Sequence, residues 1–253
     1  MRKLNRASFT LLLMSAFLTS RAPAQDAAAA LARIDSVSNS AKDMTAREEM
    51  ILIDRDGSQK TRTIRMYQKG SELRMVQFES PADVRGVGFL RRASDQLYLY
   101  LPAFRKVRRI SSSATNENFM GTDFTYEDMS QNTYAADYEA TALRSEGQEE
   151  GRYALDLIPK PGAGVSYGRL VLYADSSNDV LRRVEYYGRT DVVKKVLTID
   201  DIQQIDGYWI GNRMSMQNQK TDHSTVLVLT EVEFDLGLKD EFFSQRMLKR
   251  PVR

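Results

Sequence analysis

The chain is predicted to be a mainly β protein with a few helices, either an antiparallel barrel or a strongly curved sheet. Apolar residues alternate along short runs from Thr45 onward, as in strands with one buried face. Turn pairs such as Asp56-Gly57 and Asp206-Gly207 separate these runs at hairpin spacing. We expect roughly ten or eleven strands, preceded and followed by helices.

Both ends of the strand region carry helical patterns. Residues 25–40 are Ala-rich, and Leu31, Ile34 and Val37 recur three residues apart, as on one face of a helix. At the other end, residues 240–249 place large apolar residues at helical spacings, with Asp240 near the start. We therefore predict an N-terminal and a C-terminal helix.

The first residues resemble a secretory signal peptide. Arg2, Lys3 and Arg6 precede an apolar stretch of about ten residues, shorter than the roughly twenty that a spanning helix needs. Ala22-Pro23-Ala24 then provides small residues for cleavage. We expect residues 1–24 to be removed, leaving one domain over residues 25–253 in the periplasm; the alternative is an uncleaved anchor helix. The sequence has no Cys, so we expect neither disulfides nor attached lipid.

The net charge argues against a nucleic-acid partner. The whole sequence has 36 basic and 34 acidic residues, but four of the basic residues lie in residues 1–24. Residues 25–253 therefore carry a formal net charge of −2, and the excess of positive charge belongs to the signal peptide.

The most informative segment spans residues 96–129. An apolar and aromatic run, residues 97–101, is interrupted by Pro102 and followed by a basic run, residues 105–109. A polar linker then leads to the apolar tip Phe119-Met120-Gly121 and to an acidic-aromatic stretch. A strand leading through a basic edge into a short apolar cover indicates a protein that shelters an apolar ligand.

The sequence does not favour an enzyme. His223 is the only His, and its neighbours Asp222 and Ser224 would point to the opposite face of a strand, so the three cannot form a triad. One His and no Cys argue against a zinc site. Gly86-Val87-Gly88 lacks the third glycine of a phosphate-binding loop. We predict no catalytic residue, no cofactor and no metal.

The chain resembles the outer-membrane lipoprotein-sorting protein family, the relatives of the periplasmic lipoprotein carrier. The resemblance rests on Leu99-Tyr100-Leu101-Pro102, Arg105-Lys106-Val107-Arg108-Arg109-Ile110, Gly121-Thr122-Asp123-Phe124-Thr125-Tyr126-Glu127-Asp128 and Asp240-Glu241-Phe242-Phe243. It implies an unclosed antiparallel β-barrel (half-barrel), with an N-terminal helix, a lid helix segment and a C-terminal helix covering the concave face. It also implies a lid over residues 116–129, held by an arginine from an early strand. Arg62, Arg65 and Arg74 lie in that region, and none matches a motif.

Two groups of side chains are candidates for ligand binding. The cavity wall is predicted to contain Met66, Met75, Phe78, Leu97, Leu99, Leu101, Met214 and Met216, since thioethers suit variable apolar sites. The lid is predicted to contain Phe119, Met120, Phe124, Tyr126 and Met129. The alternatives are ordinary core packing for the methionines and a static strap for the lid.

The basic run Arg105, Lys106, Arg108 and Arg109 has three interpretations. It can pair with Asp123, Glu127 and Asp128, meet anionic headgroups or an acidic partner surface, or form a charged strand edge that discourages aggregation. We favour an edge that also docks.

The function predicted from these features is a monomeric periplasmic carrier that shelters acyl chains and helps transfer them towards the outer membrane. Its partners would be lipoprotein or lipid acyl chains, an inner-membrane exporter complex and an outer-membrane acceptor. The alternative is a binding module or sensor docked on an inner-membrane lipid exporter.

Overall fold

The computed structural model describes residues 23–93, 96–131, 133–145 and 151–250. Almost all of the predicted signal peptide, residues 1–22, lies outside the described residues. The first described element is helix α1 (Pro23–Ser38), close to the N-terminal helix that the spacing of Leu31, Ile34 and Val37 predicts. None of the helices in the described part of the chain has the length and apolar character needed to cross a lipid bilayer.

Thirteen strands form one sheet within the described residues. The first six are β1 (Asp43–Ile53), β2 (Gln59–Lys69), β3 (Leu73–Ser80), β4 (Gly88–Arg91), β5 (Leu97–Leu101) and β6 (Lys106–Arg109). The others are β7 (Tyr138–Ser145), β8 (Arg152–Pro159), β9 (Arg169–Asp175), β10 (Leu181–Tyr187), β11 (Val193–Ile205), β12 (Tyr208–Asn218) and β13 (Ser224–Phe234). Short helices α2 (Tyr126–Ser130), α3 (Tyr134–Asp137) and α4 (Gln245–Leu248) complete the chain.

The sheet is antiparallel and open, as the fold class predicts. Its strand order is β6-β5-β4-β3-β2-β1-β13-β12-β11-β10-β9-β8-β7, so β6 and β7 are edges with no strand partner beyond them in the described chain. Two hairpin meanders meet at the β1–β13 pair, in which Met50 faces Leu227. The half-barrel prediction is therefore confirmed, although the strand count exceeds the predicted ten or eleven because short strands such as β4 and β6 give almost no alternation signal.

The predicted hairpin turn at Asp206-Gly207 is present and links the long strands β11 and β12. Both residues have positive φ, 52° and 87°, as a tight two-residue turn between twisted strands requires. The turn sets the register that pairs Ile199 with Met214. Ile199, Ile202, Ile210 and Met214 of this hairpin lie on the concave side of the sheet.

Helix α1 packs on the concave face, where the larger of two apolar clusters lies. Ala27, Ala30, Leu31 and Ile34 are buried there, which is the face that the three-residue spacing indicates. The buried Asp35 carboxylate accepts the backbone N–H groups of residues 134 and 135, at 2.9 and 2.8 Å. The helix is thereby tied to the start of α3.

The C-terminal segment packs on the opposite face of the sheet, which corrects the expectation that it covers the concave face. It forms a 3₁₀ turn (Asp240–Phe242) and α4, and its Phe243 and Leu248 are buried with Met75 and Leu90. Gly88 permits this contact, because a Cβ there would lie 2.6 Å from Cδ1 of Leu248. Helical spacing identified the apolar residues of this segment, but it contains no information on which face of a distant sheet they would meet.

Candidate functional site

An apolar cavity of about 320 Å³ lies on the concave side of the sheet. It is bounded by the end of α1, the strands around the β1–β13 pair, the β11–β12 hairpin, and residues 124–134. Its volume is near the lower end of the range for small-ligand sites. Its apolar lining includes Met44, Ala46, Met50, Ile64, Met66, Val76, Phe124, Met129, Leu181, Leu197, Ile199, Met214, Leu227 and Leu229.

All the predicted wall residues except Met75 lie on the concave side of the sheet, in two kinds of position. Met66 and Met214 line the cavity directly. Phe78, Leu97, Leu99, Leu101 and Met216 belong to the same concave apolar cluster without bordering the cavity.

Met75 lies on the opposite face of the sheet, in the cluster under the C-terminal segment. Neighbouring residues on a strand alternate between faces, and it is Val76 that lines the cavity. The prediction that Met75 lines the cavity is therefore wrong, and Met75 instead packs against the C-terminal segment.

The predicted lid side chains gather on the concave side of the sheet. Phe119, Phe124, Tyr126 and Met129 are buried, Met120 is half-buried, and all five belong to the concave cluster. We call residues 116–131 the lid segment; it contains a 3₁₀ turn (Phe119–Gly121) and α2. The ring of Phe119 packs against those of Phe78, Phe89 and Tyr126, with centroids 5.6, 5.9 and 5.7 Å away. Of the five, Phe124 and Met129 border the cavity, as do Asp128 and Gln131 of the same segment.

The acidic residues of the lid segment bind partners on the later strands and loops. Oδ2 of Asp123 lies 2.6 Å from Nδ1 of His223 and accepts the hydroxyl of Thr225 at 2.8 Å. Both oxygens of Glu127 lie 3.1 Å from the backbone N–H of Ser166. Of the three interpretations of the basic run, pairing with these carboxylates is therefore not the one observed, since Asp123 and Glu127 bind residues of later strands and loops.

Asp128 forms the most buried ion pair of the lid segment. The ammonium group of Lys195 contacts its Oδ2, and the two side chains are only 7% and 3% exposed. The Lys195 ammonium also lies 5.0 and 5.1 Å from the ring centroids of Tyr167 and Tyr186. Asp128 additionally caps α2, accepting the backbone N–H of Thr125 at 2.6 Å. The Asp128 carboxylate thus both caps α2 and pairs with a cation that itself packs against two aromatic rings.

Two of the three arginines considered from the sequence donate to backbone carbonyls of the lid segment. Nη1 of Arg62 lies 2.8 Å from the carbonyl oxygen of Met120, and Nη1 of Arg74 lies 3.0 Å from that of Met129. Arg65 instead pairs with Glu79, 2.6 Å away. The early strands therefore hold the lid segment at two points.

The basic run lies at and just before edge strand β6. Arg105 precedes the strand with a positive φ of 50°, and Lys106, Arg108 and Arg109 are exposed within it. The side chain of Phe104, immediately before them, is 69% exposed. This edge is remote in the sheet order from β1 and β13, which carry the cavity floor.

Sequence reasoning missed Glu48, a carboxylate in the cavity wall. It is 4% exposed, and across from it on the two adjacent strands lie Ile64 and Leu229. Burial raises the pKa of the Glu48 carboxyl to about 7, and the positive charge of Arg74 opposes that rise. The alternation Ala46, Glu48, Met50 could have identified it as an acid on an apolar face.

The raised pKa of Glu48 predicts a stability change with pH. The folded protein holds this proton more tightly than the unfolded chain, so unfolding free energy falls as pH rises from about 4.5 to about 7. We expect Glu48→Gln to gain about 3 kcal/mol relative to the wild type across that window, measured by urea unfolding. Glu49→Gln, at the exposed neighbouring position, is the control. A difference between wild type and Glu48→Gln that stays constant with pH would contradict the assignment.

Within the described residues, no three His, Asp or Glu side chains are grouped closely enough to hold a metal ion. His223 lies just before β13 rather than within it, and its Nδ1 is 2.6 Å from Oδ2 of Asp123 in the lid segment. The polar groups around the lid segment are thus arranged as mutual partners.

The structure is an open antiparallel sheet with an apolar cavity on its concave side, and Arg62 and Arg74 hold the lid segment over that side. This arrangement defines the lipoprotein-sorting class of fold. The solved structure of an outer membrane lipoprotein-sorting protein domain from Vibrio parahaemolyticus is 31% identical, with a TM-score of 0.79, covering 87% of this chain and 97% of that one. The chain belongs to this outer membrane lipoprotein-sorting protein family, which confirms the resemblance seen in the sequence.

Other comparisons agree on the fold. A DUF1329 family protein from Desulfovibrio piger is 28% identical, with a TM-score of 0.82 over 89% of this chain and 99% of that one. A LolA superfamily protein from Nitrosomonas europaea is 19% identical, with a TM-score of 0.74 over 87% and 98%, and supports the fold alone. A family model described only as an uncharacterized protein matches residues 70–250. No curated protein matches the chain.

Proposed function

We propose that this protein is a periplasmic carrier that shelters acyl chains of a lipoprotein or another envelope lipid and helps transfer them towards the outer membrane. The observation that carries the proposal is the apolar cavity beside the lid segment, lined by Met44, Met50, Met66 and Met214. Unbranched, polarizable thioethers adapt to chains of different shape. The family membership supports the same class of cargo.

The energetics of burial are compatible with a carrier that must also release its cargo. Each buried CH₂ group contributes about 0.8 kcal/mol, so a long acyl chain offers on the order of 10 kcal/mol. Part of that must be offset, or the complex would not dissociate. Displacing lid side chains such as Phe124 and Met129 from the cavity border would provide an opposing cost.

The proposal includes export to the periplasm by cleavage after Ala24, action as a monomer and no catalytic role. Donor and acceptor would be membrane complexes, and the exposed edge formed by Phe104, Arg105, Lys106, Arg108 and Arg109 is the surface we assign to docking. A combination of exposed apolar and basic side chains fits an anionic membrane or an acidic partner. A docked module on a lipid exporter is the second candidate, and the same edge favours it.

Filling the cavity is expected to abolish cargo retention. Ala46→Phe would place a ring on β1 between the positions of Met66 and Val232, which pair with Ala46 on the two adjacent strands. We expect the wild type, purified from its own periplasm, to retain an acylated molecule at near-unit stoichiometry, and Ala46→Phe to retain less than about a tenth of it. Native mass spectrometry followed by lipid analysis of the extract measures both.

Ala142→Phe is the matched control, because Ala142 lies on edge strand β7 away from the cavity. Thermal unfolding of each variant establishes that the fold is intact. Equal cargo in the wild type and Ala46→Phe would place the ligand elsewhere. An empty wild type that co-purifies with an inner-membrane exporter would favour the docked module.

A further inference from the structure

Glu48 is the feature of the cavity that an acyl-chain carrier does not require. Along β1 it lies between Ala46 and Met50, and the three residues line the cavity together. The residues opposite it, Ile64 on β2 and Leu229 on β13, are also apolar wall residues. A carboxyl group is therefore set into an apolar surface with 4% of the residue exposed.

The described residues provide no hydrogen-bond or ion-pair partner for Glu48. Arg74 is the cation whose charge acts on it, but no pair within 4.0 Å joins them. The guanidinium of Arg74 is instead directed to Oε1 of Gln68, 2.7 Å from Nη2, and to the carbonyl of Met129. Buried polar groups in native proteins are nearly always satisfied, so an unpartnered carboxyl facing a cavity indicates a group supplied from the cavity.

The charges around the cavity restrict what that group can be. Arg74 already balances the charge of Glu48, so a ligand cation would be attracted by Glu48 but repelled by Arg74, and a ligand anion the reverse. A neutral hydroxyl or amide N–H can donate to the carboxylate without changing the charge of the site. Such a bond to a charged acceptor is stronger than one between neutral groups.

We propose that Glu48 is a polar recognition site within the cavity, which selects an apolar ligand bearing a neutral hydrogen-bond donor, a hydroxyl or an amide. This deepens and rests on the proposed carrier function, because it concerns the same cavity. The ligand's apolar body would lie against Met50, Met66 and Met214, with its donor directed at β1.

Two isomers that differ only in the donor test the proposal. Dodecanol carries a hydroxyl, whereas methyl undecyl ether has the same atoms and no donor, and laurate adds an anionic comparison. Binding is measured at about pH 8, where Glu48 is ionised, by displacement of a neutral naphthylamine dye. We expect dodecanol to bind the wild type about tenfold more tightly than the ether, and laurate to bind more weakly than dodecanol.

Variants at position 48 assign the preference to this side chain. Glu48→Leu is expected to bind both isomers equally, and Glu48→Gln, which keeps an acceptor oxygen, to retain a smaller preference. Glu49→Leu, exposed on the other face of β1, should leave the tenfold ratio unchanged. A purely structural effect of Glu48→Leu would move both affinities together, whereas recognition changes their ratio.

The outcomes separate this inference from the function on which it rests. Equal, tight binding of dodecanol and the ether to the wild type would overturn the recognition site and leave the carrier intact. An undiminished preference in a folded Glu48→Leu variant would also overturn it. Failure of every probe to displace the dye, or of the dye to bind, would count against the carrier function itself.

Discussion

Replacing Lys195 by Met is expected to lower the free energy of unfolding by about 3–5 kcal/mol. The substitution removes the cation from a buried pair and leaves the Asp128 carboxylate, 3% exposed, without a compensating charge. Removal of one partner costs more than the pair contributes, because an isolated buried charge cannot recover its hydration. The effect should concentrate on the lid segment, since Asp128 also caps α2.

Urea unfolding of Lys195→Met measures the loss, and Lys194→Met is the matched control, because Lys194 is exposed on the neighbouring position of β11. Asp128→Asn alone, and both substitutions together, complete a double-mutant cycle. The double variant should lose less than the sum of the single variants, because neither charge is then buried alone. Additive losses would show that Lys195 stabilises the protein through its contacts with Tyr167 and Tyr186 instead.

Phe119→Ala is expected to destabilise the protein by about 3–5 kcal/mol and to release the first part of the lid segment, around residue 119, from the sheet. The Phe119 side chain is fully buried and contacts the rings of Phe78, Phe89 and Tyr126. Its truncation would leave a cavity at the point where the lid segment meets strands β3 and β4. The polar contacts of Asp123 and Asp128 lie further along and would remain.

Phe104→Ala provides the control, since that ring is 69% exposed and should change stability by less than about 0.5 kcal/mol. Limited proteolysis complements denaturation, because cleavage within residues 111–125 should accelerate in Phe119→Ala and remain at the wild-type rate in Phe104→Ala. Global destabilisation without faster cleavage of this segment would contradict the anchoring role of Phe119.

Alternation of apolar residues predicted the antiparallel strands well, because the pattern depends only on neighbours in sequence. That the sheet is open was implied by the family resemblance, since the same pattern also fits a closed barrel. The spacing of Leu31 and Ile34 likewise predicted helix α1 and its buried face. Alternation does not determine which of two faces becomes concave, and Met75 was placed on the wrong one for that reason. The concave position of the C-terminal segment was implied by the family resemblance alone; in the structure its Phe243 and Leu248 pack on the opposite face, which is also apolar.

The polar contacts of the lid segment could not be predicted from the sequence. Asp123 meets Thr225 across 102 positions and Asp128 meets Lys195 across 67, so no local spacing relates them. The nearby basic run offered a closer partner in sequence, but it lies on edge strand β6. Glu48 is an acid on a strand, a position that is usually solvated, although Ala46 and Met50 precede and follow it on the same face. The pairing with Ile64 on β2 and Leu229 on β13, which the sequence does not show, completes its apolar surroundings.

The strand order gives the lid segment a further property. It lies within the connection between β6 and β7, the two edge strands of the sheet, so the chain attaches it to the sheet at both ends. A ligand that needs the space occupied by Phe124 or Met129 therefore competes with side chains of the same molecule. Because these are attached to the chain, their effective concentration is on the order of millimolar and does not fall on dilution. The apparent affinity for such cargo is reduced by the fraction of molecules in which that space is vacant. The length of the two tethers, together with the contacts that hold the lid segment on the sheet, would then set how readily a ligand enters and leaves the cavity.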